Sequence, residues 1–178
     1  MSEPTLLLTR PAAASRTFRS LCEARIGRPV TAHVSPILEI RARADAQRPS
    51  ADAILVFTSS AAVDVATCQW DLTGRRAYCV GDRTAEVALD RGLRATSAHG
   101  NADSLVALLA RDRPKGPIVH LRGAYSRGDV AQRVADSGLL ASEAVIYDQV
   151  TCDLDAWALA LLSGSDPVIL PLFYPRSA

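Results

Sequence analysis

Two short phrases in this chain set hydroxylated and basic side chains directly behind apolar runs of strand length. Ala51–Ala62 reads ADAILVFTSSAA, and Ser165–Ala178 reads SDPVILPLFYPRSA. In each, the apolar run gives way to small hydroxylated or Pro/Arg residues and then alanine. A buried parallel strand does this where it passes into the first turn of a helix. That turn carries backbone N–H groups with no acceptor inside the helix, at the positive end of its dipole, and so seats anions. Comparable corners occur at Arg10, Thr58-Ser59-Ser60, Gly81 with Thr84, Arg122-Gly123 and Arg176-Ser177. Their chemistry is the holding of carboxylate or phosphate by amides, hydroxyls and guanidinium groups, without a metal. A Ser, Thr or Asp at a helix start is more commonly only a cap, so no single corner carries the reading.

Alternating elements must position these corners. The pattern predicts strands at Thr5–Thr9, Val30–Val34, Ile54–Thr58, Ala77–Val80, Arg94–Ser97, Ile118–Leu121, Ala144–Val150 and Val168–Phe173. Between them lie helical stretches at Ala12–Ala24, Ser60–Trp70, Asp82–Leu89, Asp103–Ala110, from after Arg122-Gly123 through about Ser137, and Leu154–Leu162. Phe18, Leu21 and Cys22 share a helical face, Leu105, Leu108 and Leu109 another, and Asp82 is placed to cap its helix. Regular alternation with strands apolar on both faces predicts α/β architecture, a doubly wound parallel sheet covered on each side. Ligands of such sheets sit beyond the carboxyl ends of the strands, where the strand order reverses. Every corner named above lies at such an end.

Bulk properties exclude several classes. Net charge is +1, from 20 basic and 19 acidic side chains, which offers no field for nucleic acid or an anionic membrane. Cys22, Cys68, Cys79 and Cys152 are scattered, and His33, His99 and His120 stand alone, so a zinc site is not expected. The cysteines read as small buried hydrophobes in a reducing compartment, and no run is long enough to span a membrane. The expected setting is the cytoplasm. No G-x-G-x-x-G, P-loop or G-x-S-x-G pattern is present.

Taken in order, LLLTRP, SPILEI, ILVFTSSAAV, YCVGDRTAEVALDRGL, VHLRGAYSRGDVAQRVADSGL, AVIYDQV and a last strand running into PRSA resemble uroporphyrinogen-III synthase. The resemblance extends over essentially the whole chain. It implies two doubly wound parallel-sheet domains joined by a two-stranded linker, the first domain split in sequence. Residues 1–34 and 151–178 would form the first domain, truncated and incomplete, and residues 36–148 the second.

The implied reaction is cyclisation of hydroxymethylbilane with inversion of its last ring and loss of water, a carbon–oxygen lyase step of tetrapyrrole biosynthesis that uses no cofactor. Its substrate is a polyacid, which suits helix starts and hydroxyls. By the same resemblance Tyr147 would be the proton donor. Arg10, Thr58, Ser59, Ser60, Gly81, Thr84, Arg122, Gly123 and Ser177 would bind substrate carboxylates. Without the resemblance, Tyr147 reads as an aromatic finishing a strand. The small-molecule substrate would be the partner of a monomer, with association through the incomplete domain as the alternative. An alternative function is a truncated, non-catalytic tetrapyrrole- or anion-binding remnant.

Overall fold

The leucines of Thr5–Leu8 (β1) open the chain because an apolar run this short suits a strand covered on both faces, and Leu7 and Leu8 are fully buried. Residues 3–125 and 128–172 are described by this computed structural model. Helix α1 (Ala12–Ile26) follows and is stopped by Gly27, whose φ of 77° is left-handed and open to glycine without strain. Leu21, expected on a buried face of α1, is 63% exposed, and Ser15 is the buried residue of the helix. The Ser15 hydroxyl donates to the Arg10 carbonyl at 2.9 Å, fixing the turn between β1 and α1. Strand β2 (Ala32–Val34) pairs parallel with β1.

Strand β3 (Leu38–Ala42) leads to the larger unit, in which β4 (Ile54–Phe57) is buried at every position. Then come α2 (Ser60–Gln69), β5 (Arg76–Cys79), α3 (Asp82–Asp90), β6 (Arg94–Ser97), α4 (Ala102–Asp112), β7 (Ile118–Gly123), α5 (Val130–Asp136) and β8 (Ala141–Thr151). The chain closes with α6 (Ala156–Ser163) and β9 (Val168–Ile169). It divides into two compact units, Met1–Ile40 with Gln149–Ala178, and Arg41–Asp148, the crossings falling inside β3 and β8.

In the smaller unit the order is β2-β1-β9, with β1 parallel to both neighbours. In the larger unit the order is β3-β8-β7-β4-β5-β6. There β4 is parallel to β5 and β7, β5 to β6, and β7 to β8, so these strands end on one edge. The chain runs outward from β4 through β5 to β6, then crosses back to β7 and continues to β8. Right-handed crossovers place α2 and α3 on one face and α4 and α5 on the other. On the second face Leu105 and Leu109 of α4 and Val130 and Val134 of α5 pack with Ile54, Val56 and Ile118. The sheet is therefore doubly wound, and its order reverses between β4 and β7.

Local departures from the sequence reading have physical causes. Helix α5 starts only at Val130, because Gly123 still belongs to β7. The last strand is shorter than expected, ending at Ile169, with Pro171 following shortly after. Leu108 is only half-buried, since α4 turns Leu105 and Leu109 to the sheet. Of the cysteines only Cys79 is fully buried, its thiol pushed up to about 12 by burial, whereas Cys68 is exposed.

Candidate active site

The reversal of strand order at β4 and β7 opens the sheet edge at two adjacent corners, Thr58–Ser60 after β4 and Arg122-Gly123 at the end of β7. Ser59 caps α2, its hydroxyl accepting from the Ala61 N–H at 3.2 Å, and Ser60 is the first helical residue. Both belong to the larger unit, as do Thr58, Arg122, Gly123 and Tyr147.

Tyr147 arrives at this corner through an irregularity of register. Along β7 and β8, Leu121 pairs with Ala144 and Arg122 with Val145, but Gly123 pairs with Tyr147, passing over Ile146. This bulge turns Ile146 into the core, where it is fully buried, and brings the tyrosine ring beside Gly123. Tyr147 is 3% exposed. Burial pushes the phenol above its ordinary value, and the nearby Ser59 side chain and Gly123 backbone oppose the rise.

On the other face of the same corner is His120, which reasoning from sequence passed over as an isolated histidine. It is 1% exposed, and its Nε2 lies 3.2 Å from the Thr58 hydroxyl. Its Nδ1 is buried without a hydrogen-bond partner. A ring that donates Nε2–H to Thr58 leaves Nδ1 a bare acceptor, a cheaper burial than a stranded donor. Burial lowers its pKa to about 4, with the Arg122 charge also lowering and Glu143 opposing. The signal available in the sequence was the single polar residue inside the apolar run IVHL.

Arg122 does not reach outward as an unengaged cation. Its Nη1 donates to the carbonyls of Gly123 at 2.9 Å and Ala124 at 3.2 Å, and its Nη2 is paired with Glu143. That hydrogen bond, first among several causes, holds the Glu143 carboxyl below the usual range.

The next corner follows β5. Gly81, not Asp82, is the N-cap of α3, and Asp82 occupies the first helical turn. The Asp82 side chain is engaged with Ser97 and His99 rather than capping, and the Ser97 hydrogen bond is the main reason its pKa is lowered. Thr84 is buried in the first turn of α3, its N–H donating to the Gly81 carbonyl at 3.1 Å. Arg10 follows β1 in the smaller unit. Ser177 and Arg176 lie outside the described residues. In that smaller unit a further cluster links Asp155, the cap of α6, to His33 at 2.8 Å and to the Ser35 hydroxyl, which accepts the Asp155 N–H at 2.9 Å.

Among the described residues no group of three or more His, Cys, Asp or Glu side chains is placed to hold a metal ion. No helix among them is long and apolar enough to cross a membrane. The corner is built instead from a buried phenol, hydroxyls, helix-start amides and one guanidinium beside a carboxylate.

Comparison with known proteins bears on what such a corner serves. Among solved structures, uroporphyrinogen-III synthetase from Helicobacter pylori is similar with a TM-score of 0.55 at 17% identity, over 94% of this chain and 72% of that one. A mutant uroporphyrinogen III synthase from Thermus thermophilus gives a TM-score of 0.49 at 14% identity, over 84% of this chain and 64% of that one. No curated protein matches by sequence. The first likeness shows a shared fold. The family model described as uroporphyrinogen-III synthase HemD matches residues 18–168, which include both strands of the switch point and Tyr147. With most of its length matched by that model, the chain belongs to the uroporphyrinogen-III synthase family.

Proposed function

We propose that this chain cyclises hydroxymethylbilane to uroporphyrinogen III, inverting the last pyrrole ring and releasing water, as a carbon–oxygen lyase. The family match over residues 18–168 is the observation that carries this reading. The chemistry asked of the protein is modest. The terminal hydroxyl must leave, and the resulting azafulvene cation must be held so that the already substituted α-carbon of the last ring attacks it. The bond from that carbon to its original methylene then breaks, and the methylene bonds instead to the free α-carbon of the same ring, which loses its proton. Orientation of a flexible chain supplies most of such a rate gain. A weak acid that hands a proton to the departing hydroxide supplies much of the rest.

Tyr147 is suited to be that acid. Burial keeps its phenol protonated at neutral pH. On this reading its proton leaves with the hydroxyl as water, and the phenolate is reprotonated by the proton lost when the new pyrrole ring regains aromaticity. Carboxylates of the substrate are received at the helix starts Thr58-Ser59-Ser60 and Gly81 to Thr84, and by Arg122, which exchanges Glu143 for a substrate carboxylate. Arg10 and Ser177 stand as further carboxylate positions. No metal or organic cofactor enters these steps, and the setting implied is a cytoplasmic monomer meeting a small-molecule substrate.

The test is the isomer formed from hydroxymethylbilane, together with a Tyr147→Phe change. Under this reading the change slows type III formation at least tenfold, and an unchanged rate removes Tyr147 from the mechanism. A second reading, polyacid binding without turnover, is favoured by the apolar side chains of Leu21, Ile26, Ile169 and Leu172 left exposed in the smaller unit. It predicts binding to the larger unit with only type I product.

A further inference from the structure

The row of side chains that carries His120 is apolar until it nears the edge of the sheet. Strands β4 and β7 run parallel in a register that pairs Ile54 with Ile118 and Val56 with His120. Ile54, Val56 and Ile118 pack with residues of α4 and α5. Side chains two residues apart on a strand share a face, so Thr58 and Arg122 continue the same row beyond His120. The imidazole thus stands between an apolar core and the end of β4, where Thr58 is half-buried.

A leucine here would complete the core with no polar atom to satisfy. The imidazole instead leaves its Nδ1 buried with no hydrogen-bond partner among the described residues, and its Nε2 lies 3.2 Å from the Thr58 hydroxyl oxygen. Burial lowers the ring's pKa to about 4, so at neutral pH one of its two nitrogens carries a proton. With that proton on Nδ1, a donor would be stranded in the core. With it on Nε2, only a bare acceptor is stranded, and Thr58 receives a hydrogen bond. Orphaned buried N–H groups are the rarer of the two in folded proteins. A hydroxyl oxygen that accepts from the ring keeps its own proton to donate, directed away from that ring. On the side away from the ring lies the carboxyl edge of the sheet, where ligands of doubly wound sheets bind.

We infer that His120 is a positioning residue for the carboxylate seat at Thr58: its Nε2–H fixes the Thr58 hydroxyl as a donor aimed at a substrate carboxylate. This deepens the reading of Thr58 as a carboxylate position and rests on it. A freely rotating hydroxyl offers a lone pair as readily as a proton, and a lone pair repels a carboxylate. Tied to the ring, the hydroxyl donates outward. The bare Nδ1 is the stability lost in exchange for that fixed donor.

The experiment has two arms, both on the full chain. Long-range proton–nitrogen correlation NMR of protein labelled at histidine, at neutral pH, reads which ring nitrogen is protonated, with His120→Gln assigning the signal. The proton is expected on Nε2. A proton on Nδ1 overturns the proposal, because Thr58 would then donate inward to the ring. In type III formation from hydroxymethylbilane, His120→Leu is expected to raise KM about fivefold with kcat nearly unchanged, the mark of lost uniform binding. His120→Gln, whose amide N–H can take the place of Nε2–H, is expected to recover most of that loss. Thr58→Val should raise KM at least as much, and adding His120→Leu to it should raise KM no further. A KM that His120→Leu leaves unmoved, a loss that His120→Gln does not recover, or independent effects in the double variant each overturn the proposal. Failure of the underlying reading is told apart by Thr58→Val. An unchanged KM in that variant removes Thr58 as a carboxylate position, whereas a raised KM there beside an unmoved His120→Leu removes only the role of His120.

Discussion

The ring of Tyr147 lies in the space that a β-carbon of Gly123 would fill, 2.5 Å from two of its ring carbons. Two independent features bring this about. A bulge moves β8 by one residue so that Tyr147 rather than Ile146 stands opposite Gly123, and a glycine leaves that position empty. Together they bring a residue of β8, the neighbour of β7, to the point where the strand order reverses.

Gly123→Ala should therefore cost more than its single methyl suggests. The ring, at 3% exposure, has little room to move, and overpacking of this kind costs roughly 1–3 kcal/mol. Urea denaturation should show that loss, and Tyr147 should become more accessible to solvent quenchers. Wild-type stability with an unmoved tyrosine would mean that the close approach is not maintained in solution.

His120 makes a separate prediction about pH. The unfolded chain protonates this ring near 6.5, the folded chain only near about 4. A histidine with a depressed folded-state pKa contributes stability that is complete above the unfolded value and is lost as pH falls. Between about 6.5 and 4 the loss should approach roughly 3 kcal/mol. Urea midpoints from pH 7 to 5 should fall more steeply for the parent chain than for His120→Gln. Parallel slopes would show that the imidazole is already solvated in the folded state.

Arg122 and Glu143 form a half-exposed pair, with side-chain exposures of 18% and 41%. Such a pair adds at most about 1 kcal/mol of stability. The Glu143 carboxyl, held low first by its hydrogen bond with Arg122, contributes above the unfolded glutamate range and loses that contribution as pH falls through its own lower value. Glu143→Gln should leave the melting temperature nearly unchanged while lowering KM for the polyacid about threefold, because Arg122 no longer has to give up a carboxylate. A raised KM would assign Glu143 to holding Arg122 in its binding position.

Much of the fold was legible because the β4, β5 and β7 runs are apolar on both faces and each is followed by a helix start. Thr58, Ser59 and Gly123 could be named for the same reason, as residues at the ends of those strands. What could not be read was pairing. The bulge at Ile146 depends on β7 and β8 lying side by side, a contact between segments about twenty residues apart that periodicity does not encode. His120 was missed because a lone histidine in an apolar run looks like a core residue until Thr58 is seen 3.2 Å away. Asp82 was misplaced by one position, since a carboxylate after Gly81 resembles a cap, yet it turns to Ser97 and His99, partners supplied by the end of β6 and the residues after it. Leu21 was placed inside by helical spacing alone, which cannot say whether a neighbour covers that face.

The most direct measurement is the isomer ratio formed when the purified chain is given hydroxymethylbilane at neutral pH. Uroporphyrinogen III in excess over the spontaneous type I isomer, with the excess lost in Tyr147→Phe, is the predicted result. Type I alone, at the uncatalysed rate, would contradict the account.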